Sequence, residues 1–128
     1  MTVLLDTHTV LWATLNPSML SSLATKIILD TANTLLVSSI SAWENANKVR
    51  ISKLPEAELL EKDFTRNMAD AGYTLLPLGV EDALRAGRLV GDHCDPWDRM
   101  IAAQALALDL PVLSPDPLLD QFGVRRIW

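Results

Sequence analysis

The sequence predicts an α/β fold in which a mostly parallel sheet is flanked by helices. Three observations lead there. Short apolar runs of strand length alternate along the chain with longer segments of helical spacing. Turn signals separate them, among them Asn16-Pro17-Ser18, Leu54-Pro55, Gly72, Pro77-Leu78-Gly79, Gly91 and Pro115-Asp116-Pro117. No repeat, low-complexity tract or Gly/Ser linker breaks the alternation.

Thr2-Val3-Leu4-Leu5-Asp6 is apolar and bounded by polar residues, so it reads as a buried strand. Residues 7–15 form a short helix that runs into the Asn16-Pro17 turn. Residues 20–32 place Leu23, Ile27, Ile28 and Thr31 at helical spacing. Thr34 to Val37 is a second strand, ended by Ser38-Ser39. Residues 40–50 and 55–71 read as helices divided at Leu54-Pro55, because the residue before a proline disfavours helical backbone. Thr74 to Leu76 is a short strand. A helix over 80–89 opens on Glu81-Asp82, where acids complement the positive end of the helix dipole. Residues 97–109 are Ala-rich and nearly all apolar, hence a helix covered on several sides. Pro111 to Leu113 is a strand, and 125–127 a last short one.

A chain of 128 residues has the common length of one domain, here 1–128, and needs no covalent staples to hold its core. Its one cysteine, Cys94, excludes an intrachain disulfide and suits a reducing compartment. There is no basic, apolar leader, and no unbroken apolar run approaches about 18 residues. A cytoplasmic protein with no membrane span is therefore expected. Eleven Lys+Arg against sixteen Asp+Glu give a net charge of −5. That disfavours gripping nucleic acid by bulk charge. An acidic site that reaches a phosphodiester through a metal remains compatible with it.

In a parallel sheet, ligands bind beyond the carboxyl ends of the strands. Acids collect at those places. Asp6 follows the first strand, Glu44 lies early in the helix after the second, Asp95 and Asp98 open the Ala-rich helix, and Asp116 follows Val112-Leu113. Carboxylates converging there would repel one another without a cation between them. Hard divalent ions such as Mg²⁺ or Mn²⁺ take such oxygen ligands, and metal-assisted phosphodiester hydrolysis suits the set. A zinc site is not indicated, since His8, His93 and Cys94 lack partners at ligand spacing.

Each acid also has a structural explanation. Asp6 could cap the next helix. Ser41-Ala42-Trp43-Glu44 matches a capping box. Asp95-Pro96-Trp97-Asp98 reads as N-cap, N1 and N3 of a helix. Asp116 between prolines suits a turn. These readings leave open why acids stand at all of these positions when Ser, Thr or Asn would cap as well.

Four stretches together resemble the PIN-domain family, most of all the VapC-type toxins of bacterial toxin–antitoxin pairs. They are Leu4-Leu5-Asp6-Thr7-His8, Val37-Ser38-Ser39-Ile40-Ser41-Ala42-Trp43-Glu44, Gly91 through Ala105 with its Asp95-Pro96-Trp97-Asp98-Arg99, and Leu113-Ser114-Pro115-Asp116-Pro117. Order and spacing agree over essentially the whole chain. The resemblance implies an α/β/α sandwich with a central parallel sheet. It implies a Mg²⁺- or Mn²⁺-dependent endoribonuclease acting on RNA, forming a homodimer and neutralised by a cognate antitoxin protein. It also implies an acidic site of Asp6, Glu44, Asp98 and Asp116, with Asp6 and Asp98 as direct ligands. Asp95 ranks below Asp98, because the cap reading fits it better. Ser114, two residues before Asp116, could hold a carboxylate or water.

The chain departs from that family at Asn45 and Asn47, where apolar residues are usual. A buried amide left unpaired there would cost about 1–3 kcal/mol. His8 and His93 read as structural or substrate-contacting. Lys48, Arg50 and Lys53, together with Arg85, Arg88 and Arg99, read singly as solvated charges and jointly as a possible groove lining. Arg85 and Arg88 share a helix face with Leu84, so an antitoxin contact is equally open for them. Trp43 and Trp97 read as packing residues, with base stacking the alternative. Two other reactions fail on residues. A haloacid-dehalogenase-type phosphatase needs a second Asp where His8 stands, and a receiver domain needs an acidic pair and a late Lys that are missing. The remaining alternative is a catalytically silent PIN-like module that only forms complexes.

Overall fold

The structure, a computed structural model, describes residues 1–128. Five strands form one sheet: β1 (Thr2–Leu5), β2 (Thr34–Ser38), β3 (Thr74–Leu76), β4 (Val112–Leu113) and β5 (Arg126–Ile127), in the order β3-β2-β1-β4-β5. Every pairing is parallel, with Leu5 opposite both Val37 and Leu113. The helices are α1 (Thr7–Leu15), α2 (Ser22–Leu29), α3 (Ser39–Arg50), α4 (Glu58–Lys62), α5 (Phe64–Asp70), α6 (Val80–Arg88) and α7 (Pro96–Leu108).

Strand side chains alternate between two cores, as the pleat requires. Val3, Leu5, Leu35, Val37 and Leu113 pack with Val10 and Leu11 of α1, Ala24 and Ile27 of α2, Leu60 of α4 and Met68 of α5. On the other face, Leu4 and Val112 pack with Ile101, Ala102 and Ala105 of α7 and with Leu119 and Phe122. The result is the expected three-layer α/β/α sandwich. It explains why 97–109 is so apolar: the Ala-rich face of α7 lies directly on the sheet.

Three local expectations change. The helix expected over 20–32 is shorter, because Ser21 caps α2 by accepting from Ala24 N and the chain turns at Asp30–Asn33. The single helix expected over 55–71 is a 3₁₀ turn (Pro55–Ala57) followed by α4 and α5, with the break at Asp63 (φ −141°). The Ser41–Glu44 capping box is not formed. Ser38 is the N-cap of α3, its Oγ accepting from Ile40 N at 3.1 Å, which places Glu44 beyond the first turn. A 3₁₀ helix at Pro117–Phe122, absent from the sequence reading, follows β4.

Because all strands are parallel, their carboxyl ends share one edge. A buried polar link sets α7 against it: Ser38 Oγ donates to Gln104 Oε1 at 2.6 Å, and Gln104 Nε2 donates to the Pro77 carbonyl at 3.1 Å. No helix is long and apolar enough to cross a membrane.

Candidate metal centre

Asp6 leaves β1 and starts α1. Its Oδ1 accepts from Thr9 N at 2.8 Å and its Oδ2 accepts from Ser114 Oγ at 2.5 Å. Thr9 Oγ1 in turn donates to the Leu113 carbonyl at 2.8 Å, so the ends of β1 and β4 are tied together around this carboxylate. Asp6 is only 3% exposed, and that burial raises its carboxyl above the usual range against the lowering effect of these hydrogen bonds. The cap reading of Asp6 is therefore met by its Oδ1, while its Oδ2 is held by Ser114.

Glu44 projects from α3 toward α1. Thr7 Oγ1 donates to Glu44 Oε1 at 2.7 Å while sharing a 2.9 Å hydrogen bond with Ser41 Oγ. Burial pushes the Glu44 carboxyl up to about 7, and the charges of Asp98 and Asp95 add to the rise against Thr7 and Lys48.

Asp98 stands in the first turn of α7. Its Oδ2 lies 2.7 Å from His93 Nε2. Burial raises its carboxyl, and the charges of Asp95 and Asp6 push the same way, against the pull of His93. Asp95 is the N-cap of α7, its Oδ1 accepting from Trp97 N at 2.9 Å and Asp98 N at 3.3 Å. Asp116 caps the 3₁₀ helix by accepting from Leu118 N, and its own N–H donates to Ser114 Oγ at 3.1 Å. Ser114 thus links Asp6 to Asp116, as its place two residues earlier suggested.

Donor atoms of His93, Asp98 and Asp116 lie within 4.8 Å of one another. Asp6 and Glu44 are not part of that cluster, although their charges reach Asp98 or feel it. The missed member is His93. It is held by its backbone N–H donating to Gln121 Oε1 at 2.9 Å. Gly91 permits this loop: its φ is +150°, and a Cβ there would lie 2.7 Å from Gln121 Oε1 and 2.9 Å from the Phe122 ring. The available sequence signal was a histidine in a loop five residues before Asp98. Arg99, read above as a candidate groove cation, instead clamps this loop. It donates to the carbonyls of Ala86, Leu89, Gly91 and His93 and lies over the Phe122 ring, 5.3 Å from its centroid. Arg85 and Arg88 line a separate cavity with Glu81, Asp82, Leu89 and Ala107, away from the carboxylates.

The donor set fits a divalent cation. It offers the carboxylate oxygens of Asp98 and Asp116 and one imidazole nitrogen, partly buried, with the Asp98 carboxyl raised by burial and by the charges of Asp95 and Asp6. A cation reverses that repulsion and returns the acids to their charged form.

Residues 3–124 match the family profile of the PIN domain. Solved structures are similar over nearly the whole chain. They include VapBC2 from Rickettsia felis bound to a DNA fragment from their promoter, at 17% identity and TM-score 0.69 over 99% of this chain and 98% of that one. DNA-bound VapBC from Salmonella typhimurium is similar at 22% identity and TM-score 0.71, covering 99% and 97%. FitAcB from Neisseria gonorrhoeae is similar at 20% identity and TM-score 0.66, covering 98% and 96%. No curated protein matches the chain.

Proposed function

This chain belongs to the PIN domain family, and from that premise we propose that it is a Mg²⁺- or Mn²⁺-dependent endoribonuclease, the toxin of a toxin–antitoxin pair. The observation that carries this reading is the convergence of His93, Asp98 and Asp116 donors within 4.8 Å, near the buried Asp6 and the half-buried Glu44. The proposal extends to one such domain over 1–128, acting in the cytoplasm as a homodimer and held in check by a cognate antitoxin. The similarity to DNA-bound VapBC and to FitAcB supports the partner.

Asp98 and Asp116 would hold the cation, with Asp6 and Glu44 completing the acidic site. When bound, the cation would polarise the scissile phosphate and lower the pKa of an attacking water. His93 fixes the Asp98 carboxylate through its 2.7 Å contact, and Ser114 fixes Asp6. Glu44, outside the His93–Asp98–Asp116 cluster and held by Thr7, is suited to take a proton from the water. A new bond forms from the water oxygen to phosphorus, the bond to the ribose 3′ oxygen breaks, and that oxygen leaves with a proton from solvent. The 2′-hydroxyl takes no part, so no histidine base is required.

RNA cleavage by the purified protein tests this. Cleavage should require Mg²⁺ or Mn²⁺, stop in excess EDTA and fall in Asp98→Asn. The catalytically silent alternative predicts no cleavage under any metal condition.

A further inference from the structure

The reaction above makes no use of the two tryptophans beside the acids. Trp97 packs against the core beneath α7. Trp43 lies on it, with ring centroids 4.1 Å apart and planes inclined at 37°. Yet Trp43 is 46% exposed. Its indole is therefore held by a ring anchored in the core while a large part of it faces solvent. That leaves one face of the indole free for a ligand beside Glu44.

A cavity of about 250 Å³ opens against this ring, lined also by Glu44, Asp95, Lys48, Lys53 and His8. A second, of about 390 Å³, continues from the same His8, Lys48 and Lys53 to Trp12, Leu54 and Glu56. The trough therefore starts at Glu44 of the proposed acidic site, passes an indole face and crosses two lysines. Neither lysine forms a close ion pair, those of the chain lying at Lys62, Arg66, His93, Arg125 and Arg126, and Lys48 acts on Glu44 only through its charge. In a chain of net charge −5, two unpaired cations beside an acidic cluster match a polyanion that must approach that cluster.

We propose that this trough is a subsite for one unpaired nucleotide next to the scissile phosphate of an RNA. The base stacks on the outer face of Trp43, and the backbone runs over Lys48 and Lys53. The proposal rests on the nuclease reading and adds a residue that sets substrate preference. Stacking needs a free π-face, which a base inside a duplex does not offer. The first cavity, with two cations and an acid-lined end around the indole and Ile51, favours the nucleotide, while Leu11, Leu15 and Leu54 give the second cavity an apolar wall.

Fluorescence anisotropy tests it with two labelled probes of equal length, a hexaribonucleotide and a ribose-phosphate hexamer without bases, in Ca²⁺ buffer. The wild-type chain should bind the first more tightly by about 5- to 150-fold, the range for one stacked base. Trp43→Ala should erase that ratio and leave binding of the base-free probe unchanged, while Trp43→Phe keeps most of it. Lys48→Gln with Lys53→Gln should weaken both probes alike and flatten the salt dependence. An undiminished ratio in Trp43→Ala overturns the proposal and assigns the indole to a protein segment. Cleavage with Mn²⁺ is followed in parallel. Cleavage by Trp43→Ala with unchanged KM overturns the subsite and leaves the nuclease standing. Base-dependent binding without any cleavage supports the subsite and sinks the nuclease.

Discussion

Asn45 is the most exposed point of the account to measurement, because both its side-chain polar atoms are buried without a partner. The residue is 1% exposed, on the face of α3 that also carries Ser41. Leucine has nearly the same shape and no polar atoms. Removing an orphaned amide relieves about 1–3 kcal/mol. The added apolar burial contributes on the order of 1–2 kcal/mol more, and imperfect fit in a formed core takes back a similar amount. Asn45→Leu should therefore stabilise the protein by about 1–3 kcal/mol. For a chain of this size that corresponds to a Tm higher by about 5–10 °C. Urea unfolding should show a higher midpoint at unchanged slope. Asn47→Leu is the control. Asn47 is half-buried and its Oδ1 accepts from Arg50 at 2.6 Å, so it should gain nothing. Equal or lower stability for Asn45→Leu would refute the reasoning, since it would mean that the amide is paired in solution.

Two further outcomes follow from the site. His93→Gln should weaken Mn²⁺ or Mg²⁺ binding by about 10- to 100-fold, the usual effect of loosening a ligand's support, and isothermal titration calorimetry reads this without turnover. Unchanged affinity would remove His93 from the site. The second outcome concerns pH. Glu44 has a folded-state carboxyl near 7 against an ordinary 4.5, so its neutral form is favoured by folding. Its contribution is fully present below about 4.5 and is lost as pH rises through about 7; Asp6 and Asp98, also raised, act in the same direction. In EDTA the protein should therefore lose stability between pH 5 and pH 8, by at most about 3 kcal/mol from Glu44. Mn²⁺ should restore it most at the upper end, where protons no longer compete. Melting curves across that range with and without metal check both signs, and a metal-free Tm that rises with pH would contradict them.

What the sequence made legible was whatever short-range chemistry decides. Apolar runs, prolines and Ser/Asp caps placed all five strands and most helices, because those choices are settled within a few residues. The resemblance added the layer order and the acids to follow. The misses lie where distant contacts decide. Asp63 breaks a helical pattern that its neighbours support. Ser38, already at the end of a strand, takes the cap that Ser41 could have taken, and this frees Glu44 for Thr7. His93 meets Asp98, and Arg99 clamps the loop instead of lining a groove, because the chain at Gly91 folds against Gln121 and Phe122, which no local pattern announces. Asn45 is the opposite case. Its oddity was readable as a departure, and the structure turns that departure into an unpaired buried amide.

The central claim is that these carboxylates form one metal-dependent catalytic centre. Incubation of a single-stranded RNA with the purified protein, in Mn²⁺ and in EDTA, beside Asp98→Asn, addresses it most directly. The account predicts cleavage products ending in 5′-phosphate and 3′-hydroxyl in Mn²⁺. It predicts none in EDTA, and a rate at least about 100-fold lower for the variant, in keeping with loss of electrostatic stabilisation at the reacting phosphate. Cleavage that persists in EDTA, or an Asp98→Asn protein as active as the wild type, would contradict it.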